Sequence, residues 1–202
     1  MGKIIVVGIT GKTASGKSAI GRYIKKQIGN TLFIDVDKVA KDIYCKNQNV
    51  RLKLTECFGE NVCSFDGTVN YKLLAEKVFS SKKELARLNN LMFGLIEQEI
   101  QKIITANRDK RCIIIDAAIL FGSNLYKLCD CIIWVKAGQE KRNNFLKLKN
   151  KNFSDEDIKL RLEGQHIKII KKLVTFEIYN NGSLEDLYNQ VNKKLVQDEL
   201  NF

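Results

Sequence analysis

The sequence predicts an α/β fold in which a parallel β-sheet is flanked by helices. Short runs of apolar, β-branched residues alternate along the chain with longer segments of helical periodicity, an order typical of parallel sheets. A glycine-rich loop directly follows the first run, and a long helix-rich stretch separates the second run from the third. The 202 residues are enough for a single domain with a substantial core.

Five runs are expected to form the strands of this sheet. Each is short and dominated by Ile, Val, Leu and Phe, as is typical of strands that are covered on both faces. In chain order they are KIIVVG (3–8), TLFID (31–35), CIIID (112–116), CIIWV (131–135) and VTFEIY (174–179).

Helices are expected between and after these strands. The first begins at the glycine-rich loop and ends near Gln27, and another spans roughly 82–105, where Leu, Ile and Met recur at helical spacing. Ser154 and Ser183 each precede acidic residues, so we expect both to cap the start of a helix.

The stretch between the second and third strands is far longer than one crossover helix requires. It is rich in helical pattern and poor in strand pattern. We therefore expect an inserted helical lobe over about 38–109, with the core of the single domain formed by about 1–37 and 110–202.

The net charge of the chain excludes few classes of binding partner. There are 34 Lys and Arg residues against 23 Asp and Glu, a formal net charge of +11, which suits nucleic acid, anionic membranes or phosphorylated small molecules. The basic residues are spread along the chain without a dense arm, so charge alone identifies no partner.

No apolar run is long enough to span a bilayer, and the first run is interpreted as a strand rather than a signal peptide. We expect a cytoplasmic protein.

The cysteines and the single histidine give no indication of a metal site. No two of the six cysteines form a C-x-x-C pair, so reduced thiols are expected rather than a zinc site. His166 has no motif around it, and we expect it to be structural or exposed.

The chemistry is indicated by residues 11–18, GKTASGKS, which fill every required position of G-x-x-x-x-G-K-[ST]. Gly11 and Gly16 permit backbone angles that turn successive N–H groups toward an anion. Lys17 is expected to reach the β- and γ-phosphates of a nucleotide, and the Ser18 hydroxyl to ligate Mg²⁺. The predicted fold is therefore of the P-loop nucleoside-triphosphate hydrolase type.

Two permissive positions of this loop carry side chains where glycine would also fit. Ala14 adds only a methyl group and Lys12 adds a charge, and neither removes a required group. We therefore expect a working ATP site formed by the whole loop: Gly11, Lys12, Thr13, Ala14, Ser15, Gly16, Lys17 and Ser18.

A kinase for a small acceptor is favoured over other users of this loop. A GTPase should carry an N-K-x-D motif, whereas NKNF (150–153) and NKKL (192–195) both lack the Asp. The chain length, the helical lobe and the acidic end of the second strand point in the same direction.

Three carboxylates follow predicted strands. Asp35 and Asp37 lie at the carboxyl end of the second strand, where open α/β sheets bind ligands, and a carboxylate there can accept the proton of an acceptor hydroxyl. One of the two could instead cap the following helix. Because DKVAKDIY has helical spacing, we expect Asp35 to end the strand and Asp37 to face the cleft. Asp116 ends the third strand and is expected to hold Mg²⁺ directly or through water.

Taken together, six segments resemble the dephospho-coenzyme A kinase family. They follow that family's order and spacing over nearly the whole chain. The segments are GITGKTASGKS (8–18), IDVDKVAKDIY (34–44), LNNLMFGLIEQEI (88–100), DAAILFGSNLYKLCDCIIWV (116–135), SDEDIKLRLEGQ (154–165) and FEIYNNGSLEDLYNQV (176–191).

The resemblance implies transfer of the ATP γ-phosphate to the 3′-hydroxyl of dephospho-coenzyme A, the final step of coenzyme A synthesis. It implies Asp37 as the base, with Lys17 and Arg161 as further catalytic residues and Mg²⁺ as the metal. It also implies a lid around 138–165, in which Arg161 and Gln165 match family positions. Dephospho-coenzyme A is then the partner of a monomer that binds neither nucleic acid nor membrane.

The chain departs from the family pattern at several acceptor-side and lid positions. Phe93-Gly94 stands where the family has His-Pro, and Gly122 stands where it has Glu. In the lid, Phe145 replaces an Arg, while Lys149 keeps a charge.

Arg142 and Lys168 are candidate substitutes for the lost lid cation, and we expect Arg142 to contact ATP, although Lys lacks the bidentate geometry of Arg. Two alternatives stay open: a P-loop kinase for another nucleoside or nucleotide, and a non-catalytic ATP-binding regulator. A further hypothesis, a nucleic-acid-binding protein, is supported by the net positive charge alone.

Overall fold

A computed structural model describes residues 3–64, 66–79, 81–149, 154–163 and 167–197. In this part of the chain the strands are β1 (Ile5–Gly11), β2 (Thr31–Asp35), β3 (Cys112–Asp116), β4 (Cys131–Lys136) and β5 (Phe176–Tyr179). The α-helices are α1 (Lys17–Gln27), α2 (Val36–Lys46), α3 (Gln48–Phe58), α4 (Tyr71–Phe79), α5 (Lys82–Ala106), α6 (Gln139–Lys149), α7 (Asp155–Glu163) and α8 (Leu184–Gln197).

The strands form one parallel sheet in the order β2-β3-β1-β4-β5. Asp116 is in register with Ile9 on one side and with Asp35 on the other. The carboxyl ends of β1, β2 and β3 therefore meet at one edge of the sheet. The predicted α/β fold, with a parallel sheet flanked by helices, is confirmed.

Alternate residues of the strands are buried against helices on opposite faces of the sheet. Val7, Ile9 and Ile114 pack in one cluster with side chains from α1 and α8. Ile113 and Ile115 pack on the other face, in a cluster with side chains from α2, α3, α4 and α5. This two-sided burial explains why the strand sequences are almost continuously apolar.

The helix-rich stretch between β2 and β3 forms α2–α5, as its pattern indicated. Its buried residues, such as Leu54 and Ile100, belong to the same cluster as the sheet residue Ile113. The apolar core of these helices is therefore continuous with that of the sheet. The division into a lobe at 38–109 and a lid at 138–165 stays a prediction.

The helix starts expected after Ser154 and Ser183 are confirmed. The Oγ of Ser154 accepts a hydrogen bond from Asp157 N at 3.1 Å, and an Asp157 carboxylate oxygen accepts one from Ser154 N at 3.0 Å. Ser183 and Asp186 make the same reciprocal pair at 3.1 and 2.8 Å. Each pair satisfies two backbone N–H groups at a helix start.

The six cysteines are free thiols, as expected. Burial raises the pKa of Cys112 and of Cys129 to about 12, which keeps both thiols protonated and unreactive.

Over the described ranges, no group of three or more His, Cys, Asp or Glu side chains could hold a metal ion, and no helix has the length and apolarity needed to cross a membrane. His166 lies outside the described residues.

Candidate active site

The loop between β1 and α1 has the backbone shape of an anion cradle. Gly16 caps the start of α1 with φ 100° and ψ 10°, and Gly11 has φ 154°. A methyl group at Gly16 would collide with the side-chain amide of Asn180, and one at Gly11 with the carbonyl oxygen of Val135. Both glycines are therefore required by conformation and by space.

Ala14 also has a left-handed backbone, with φ 63°. For a residue with a Cβ atom this conformation costs roughly 1–2 kcal/mol. The position is permissive in the motif, so this strain could not be predicted from the sequence.

One hydroxyl in the loop and one in the strand before it are buried without a hydrogen-bond partner among the described residues. Ser15 is 1% exposed and Thr10 is fully buried, and within the described residues neither hydroxyl oxygen has a hydrogen-bond partner. Buried hydroxyls normally have partners, so a ligand with hydrogen-bonding oxygens fits here. Lys17 Nζ lies over the same loop, donating to the carbonyl oxygen of Lys12 at 3.3 Å. The motif indicated Ser15 and Lys17 but not Thr10.

Two residues predicted to bind Mg²⁺ meet below the loop. Ser18 Oγ donates to Asp116 Oδ2 at 2.5 Å, although 98 positions separate them in sequence. Burial raises the pKa of Asp116; the nearby charge of Lys17 and the bond from Ser18 act to lower it, and the charges of Asp35 and Asp37 raise it. The ends of β2 and β3 and the first turn of α2 thus bring Asp35 and Asp37 within electrostatic reach of Asp116, which also interacts with the P-loop lysine.

The structure gives Asp35 and Asp37 different surroundings. Asp35 caps α2, where its Oδ1 accepts from Lys38 N at 3.1 Å. Asp37 lies in the first turn of α2 and is exposed. Asp35 therefore has the capping role foreseen for one of the two, and Asp37 is the more exposed of the pair.

Arg142, on α6, is a buried cation. Its residue is only 4% exposed, and its Nε and Nη1 atoms have no hydrogen-bond acceptor in the described part of the chain. Burial lowers the pKa of the guanidinium. A buried charge is costly unless it is paired, so this position fits an anionic ligand.

The remaining lid residues are less informative. Arg161 lies half-buried on α7. Hydrogen bonds from Ser154 and then the charges of Lys72 and Arg161 lower the pKa of Asp157. Lys168 is exposed, and Gln165 lies outside the described residues.

Asn180 is a site residue whose contact with the nucleotide loop was not predicted from the sequence. It follows β5, and its Nδ2 donates to the carbonyl oxygen of Ser15 at 2.9 Å. The NNGS stretch of the family resemblance was the available signal, but it did not reveal this contact across 165 positions.

A parallel sheet with a phosphate-binding loop after β1, and with carboxylates at the ends of β2 and β3, defines a P-loop phosphotransferase. A family model described as dephospho-CoA kinase matches residues 5–186. A curated dephospho-CoA kinase from Fusobacterium nucleatum subsp. nucleatum is 32% identical over 193 residues, covering 94% of this chain and 96% of the relative. The chain belongs to the dephospho-CoA kinase family, and the predicted family, fold class and enzyme class are confirmed.

Solved structures show the same fold at lower sequence identity. A Thermus thermophilus protein, TT1252, has a TM-score of 0.73 at 22% identity and covers 98% of this chain and 99% of its own. A dephospho-CoA kinase from Campylobacter jejuni has a TM-score of 0.57 at 22% identity, covering 93% and 94%. These likenesses support the fold assignment alone.

Proposed function

We propose that this protein transfers the γ-phosphate of ATP to the 3′-hydroxyl of dephospho-coenzyme A. Family membership supplies the reaction class. The observation that carries the proposal is the contact of Ser18 with Asp116 at 2.5 Å directly below the nucleotide loop, with the exposed Asp37 nearby. This arrangement supports a phosphate cradle and a proton acceptor at one edge of the sheet.

On the donor side, the whole loop from Gly11 to Ser18 surrounds the phosphates with backbone N–H groups. The hydroxyl of Ser15, which has no partner among the described residues, provides a further hydrogen-bonding group. Lys17 stabilises charge on the β- and γ-phosphates, and Arg142 neutralises the outer phosphates from α6. The orphaned polar atoms inside the site support ATP binding because each then gains a partner.

The residues present also fit Mg²⁺. Ser18 and Asp116 offer the hard oxygen ligands that this ion prefers, and water and phosphate oxygens would complete its coordination. When bound, Mg²⁺ would neutralise charge on the transferred phosphoryl group. We assign Ser18 and Asp116 to hold it.

On the acceptor side, Asp37 accepts the proton of the ribose 3′-hydroxyl as that oxygen attacks phosphorus. Helices α2–α5 then form the acceptor-binding lobe. Helices α6 and α7 form the lid, with Arg161 as a further charge facing the phosphates. Closure of the lid excludes water and so limits ATP hydrolysis.

The test is release of ADP from ATP and Mg²⁺ in the presence and absence of dephospho-coenzyme A, with Lys17→Ala as the inactive control. We expect release only with this acceptor, and a product that carries the new phosphate on the ribose 3′-oxygen by NMR. Adenosine and AMP serve as competing acceptors. Faster turnover with either one would assign a different acceptor, and ATP binding without any ADP release would indicate a regulator.

The cellular location and the oligomeric state of the enzyme are part of the same proposal. We propose that the enzyme is a cytoplasmic monomer. Light scattering in solution tests the oligomeric state, and a molecular mass of twice the chain would contradict it.

A further inference from the structure

A continuous set of hydrogen bonds joins helix α6 to the nucleotide loop. Lys141 Nζ donates to Asn180 Oδ1 at 2.9 Å and also contacts the carbonyl oxygen of Gly182. Asn180 Nδ2 in turn donates to the carbonyl oxygen of Ser15 at 2.9 Å. The amide of Asn180 therefore has one end on α6 and the other on the P-loop.

The position of Asn180 between them is fixed from two directions. Its backbone N–H donates to the carbonyl oxygen of Lys136 at 2.7 Å, at the end of β4. Its side chain fills the space left by the missing Cβ of Gly16. With its backbone held by the sheet and both amide groups engaged, Asn180 acts as a rigid link.

Neighbouring cations on α6 have opposite surroundings. The Lys141 ammonium is surrounded by oxygens of Asn180 and Gly182. It also lies close enough to Asp186 to lower the pKa of that carboxyl, behind the larger effect of hydrogen bonds from Ser183. Arg142, by contrast, is buried with Nε and Nη1 unpaired in the described residues. Successive helix residues project about 100° apart, so the anchoring of Lys141 fixes the direction of Arg142.

We propose that Lys141 is a positioning residue for phosphoryl transfer: through Asn180 it ties α6 to the nucleotide loop and so sets the guanidinium of Arg142 beside the phosphates. The proposal rests on the function proposed above. By linkage, a nucleotide that orders the loop also orders α6. Lys141 itself touches no phosphate in this arrangement, because its charge is already taken up by protein oxygens.

The first test measures ADP affinity by calorimetry for Lys141→Met, Asn180→Ala and the double variant. Each single variant should weaken ADP binding about tenfold, the effect of losing a hydrogen bond to a charged group. The double variant should be no weaker than the worse single one, because both cut the same link. Losses that add in the double variant would overturn the proposal. ADP binding needs no acceptor, so this outcome is independent of whether dephospho-coenzyme A is the acceptor.

Lys147→Met is the matched control, since it removes the same charge from the same helix. Lys147 pairs with Asp155 at 2.7 Å on the surface, an interaction of little energetic value. ADP affinity should stay within about twofold of the wild type. An equal loss in this control would show that general charge, rather than the link, attracts the nucleotide, and would refute the proposal.

The second test asks whether Lys141 acts through Arg142. Arg142→Ala should raise the KM for ATP and lower kcat in the wild-type background, and should have a much smaller effect in the Lys141→Met background. Equal effects in both backgrounds would overturn the positioning role. So would a Lys141→Met variant that only melts at a lower temperature, with unchanged kcat and KM, since that result describes a structural contact alone.

Discussion

The ring of Phe93 on α5 lies against Gly122, in the segment that follows β3. A Cβ atom at Gly122 would be 3.6 Å from the edge of that ring. These are two of the positions at which the chain departs from the family pattern of His and Glu, and the structure shows that they are neighbours. A carboxylate at 122 would face an aromatic ring, whereas it could pair with an imidazole. We therefore expect the two departures to be energetically coupled.

A double-mutant cycle tests this coupling. Phe93→His and Gly122→Glu together should be more stable than the sum of the single changes by about 0.5–1 kcal/mol, within the range for residues in contact. The measurement is urea unfolding of the four proteins at pH 6, where the new imidazole is largely protonated. Additive effects would show that the two replacements are independent.

The strain at Ala14 gives a prediction about stability. Ala14→Gly removes a left-handed cost of roughly 1–2 kcal/mol and adds about 0.5–1 kcal/mol of unfolded-state entropy, so the variant should gain about 0.5–1 kcal/mol. Thermal unfolding checks the direction. Asn30→Gly is the control: Asn30 has φ 55°, but Asn tolerates this region and its side chain donates to the carbonyl oxygen of Asp109 at 2.8 Å. That variant should gain nothing, and a less stable Ala14→Gly protein would contradict the strain argument.

Asp35 and Asp37, which are separated by one residue, should respond very differently to the same substitution. Asp37→Asn removes the proposed proton acceptor and should lower kcat by roughly a hundredfold to ten-thousandfold, with little change in ATP affinity. Asp35→Asn keeps a good helix cap and should retain most of the activity and stability. Steady-state kinetics with varied ATP and varied acceptor separates the two. If the large loss followed Asp35→Asn instead, the two roles would be reversed.

We expect Asp116 to lower the free energy of unfolding of the ligand-free protein at neutral pH. Burial raises its pKa, and the charges of Asp35 and Asp37 add to the effect, so the folded state holds this proton more tightly than the unfolded state. Stability from this group is therefore present at low pH and is lost as pH rises through the raised pKa. Asp116→Asn should be more stable than the wild type at pH 7, by more than at pH 4, in buffer containing EDTA. It should also lose Mg²⁺-dependent turnover. Equal unfolding free energies at both pH values would contradict this account.

The sequence predicted much of this fold because the strands are short apolar runs and the helix starts carry capping residues. β1 continues to Gly11, beyond its apolar run, because Gly11 pairs with Val135 of β4. The roles of Thr10 and Asn180 were not foreseen, because an orphaned hydroxyl or a contact across the fold leaves no local pattern. Motif letters likewise place Ala14 in the loop without revealing its backbone angle.

The last prediction concerns the lid cation that the family pattern places at 145. Phe145 and Arg142 are three residues apart on α6 and so lie on neighbouring parts of one face; Phe145 is 49% exposed, so an Arg there has room. If Arg142 supplies the missing charge, Arg142→Ala should lower kcat/KM for ATP on the order of a hundredfold, as for loss of one charge-stabilising group. Phe145→Arg should then change little by itself but restore at least about tenfold in the Arg142→Ala background. Leu148→Arg, at a side chain that is 78% exposed on the same helix, adds the same charge elsewhere and should restore nothing. A gain from Phe145→Arg that is as large with Arg142 present as without it would show that the two positions do not replace one another.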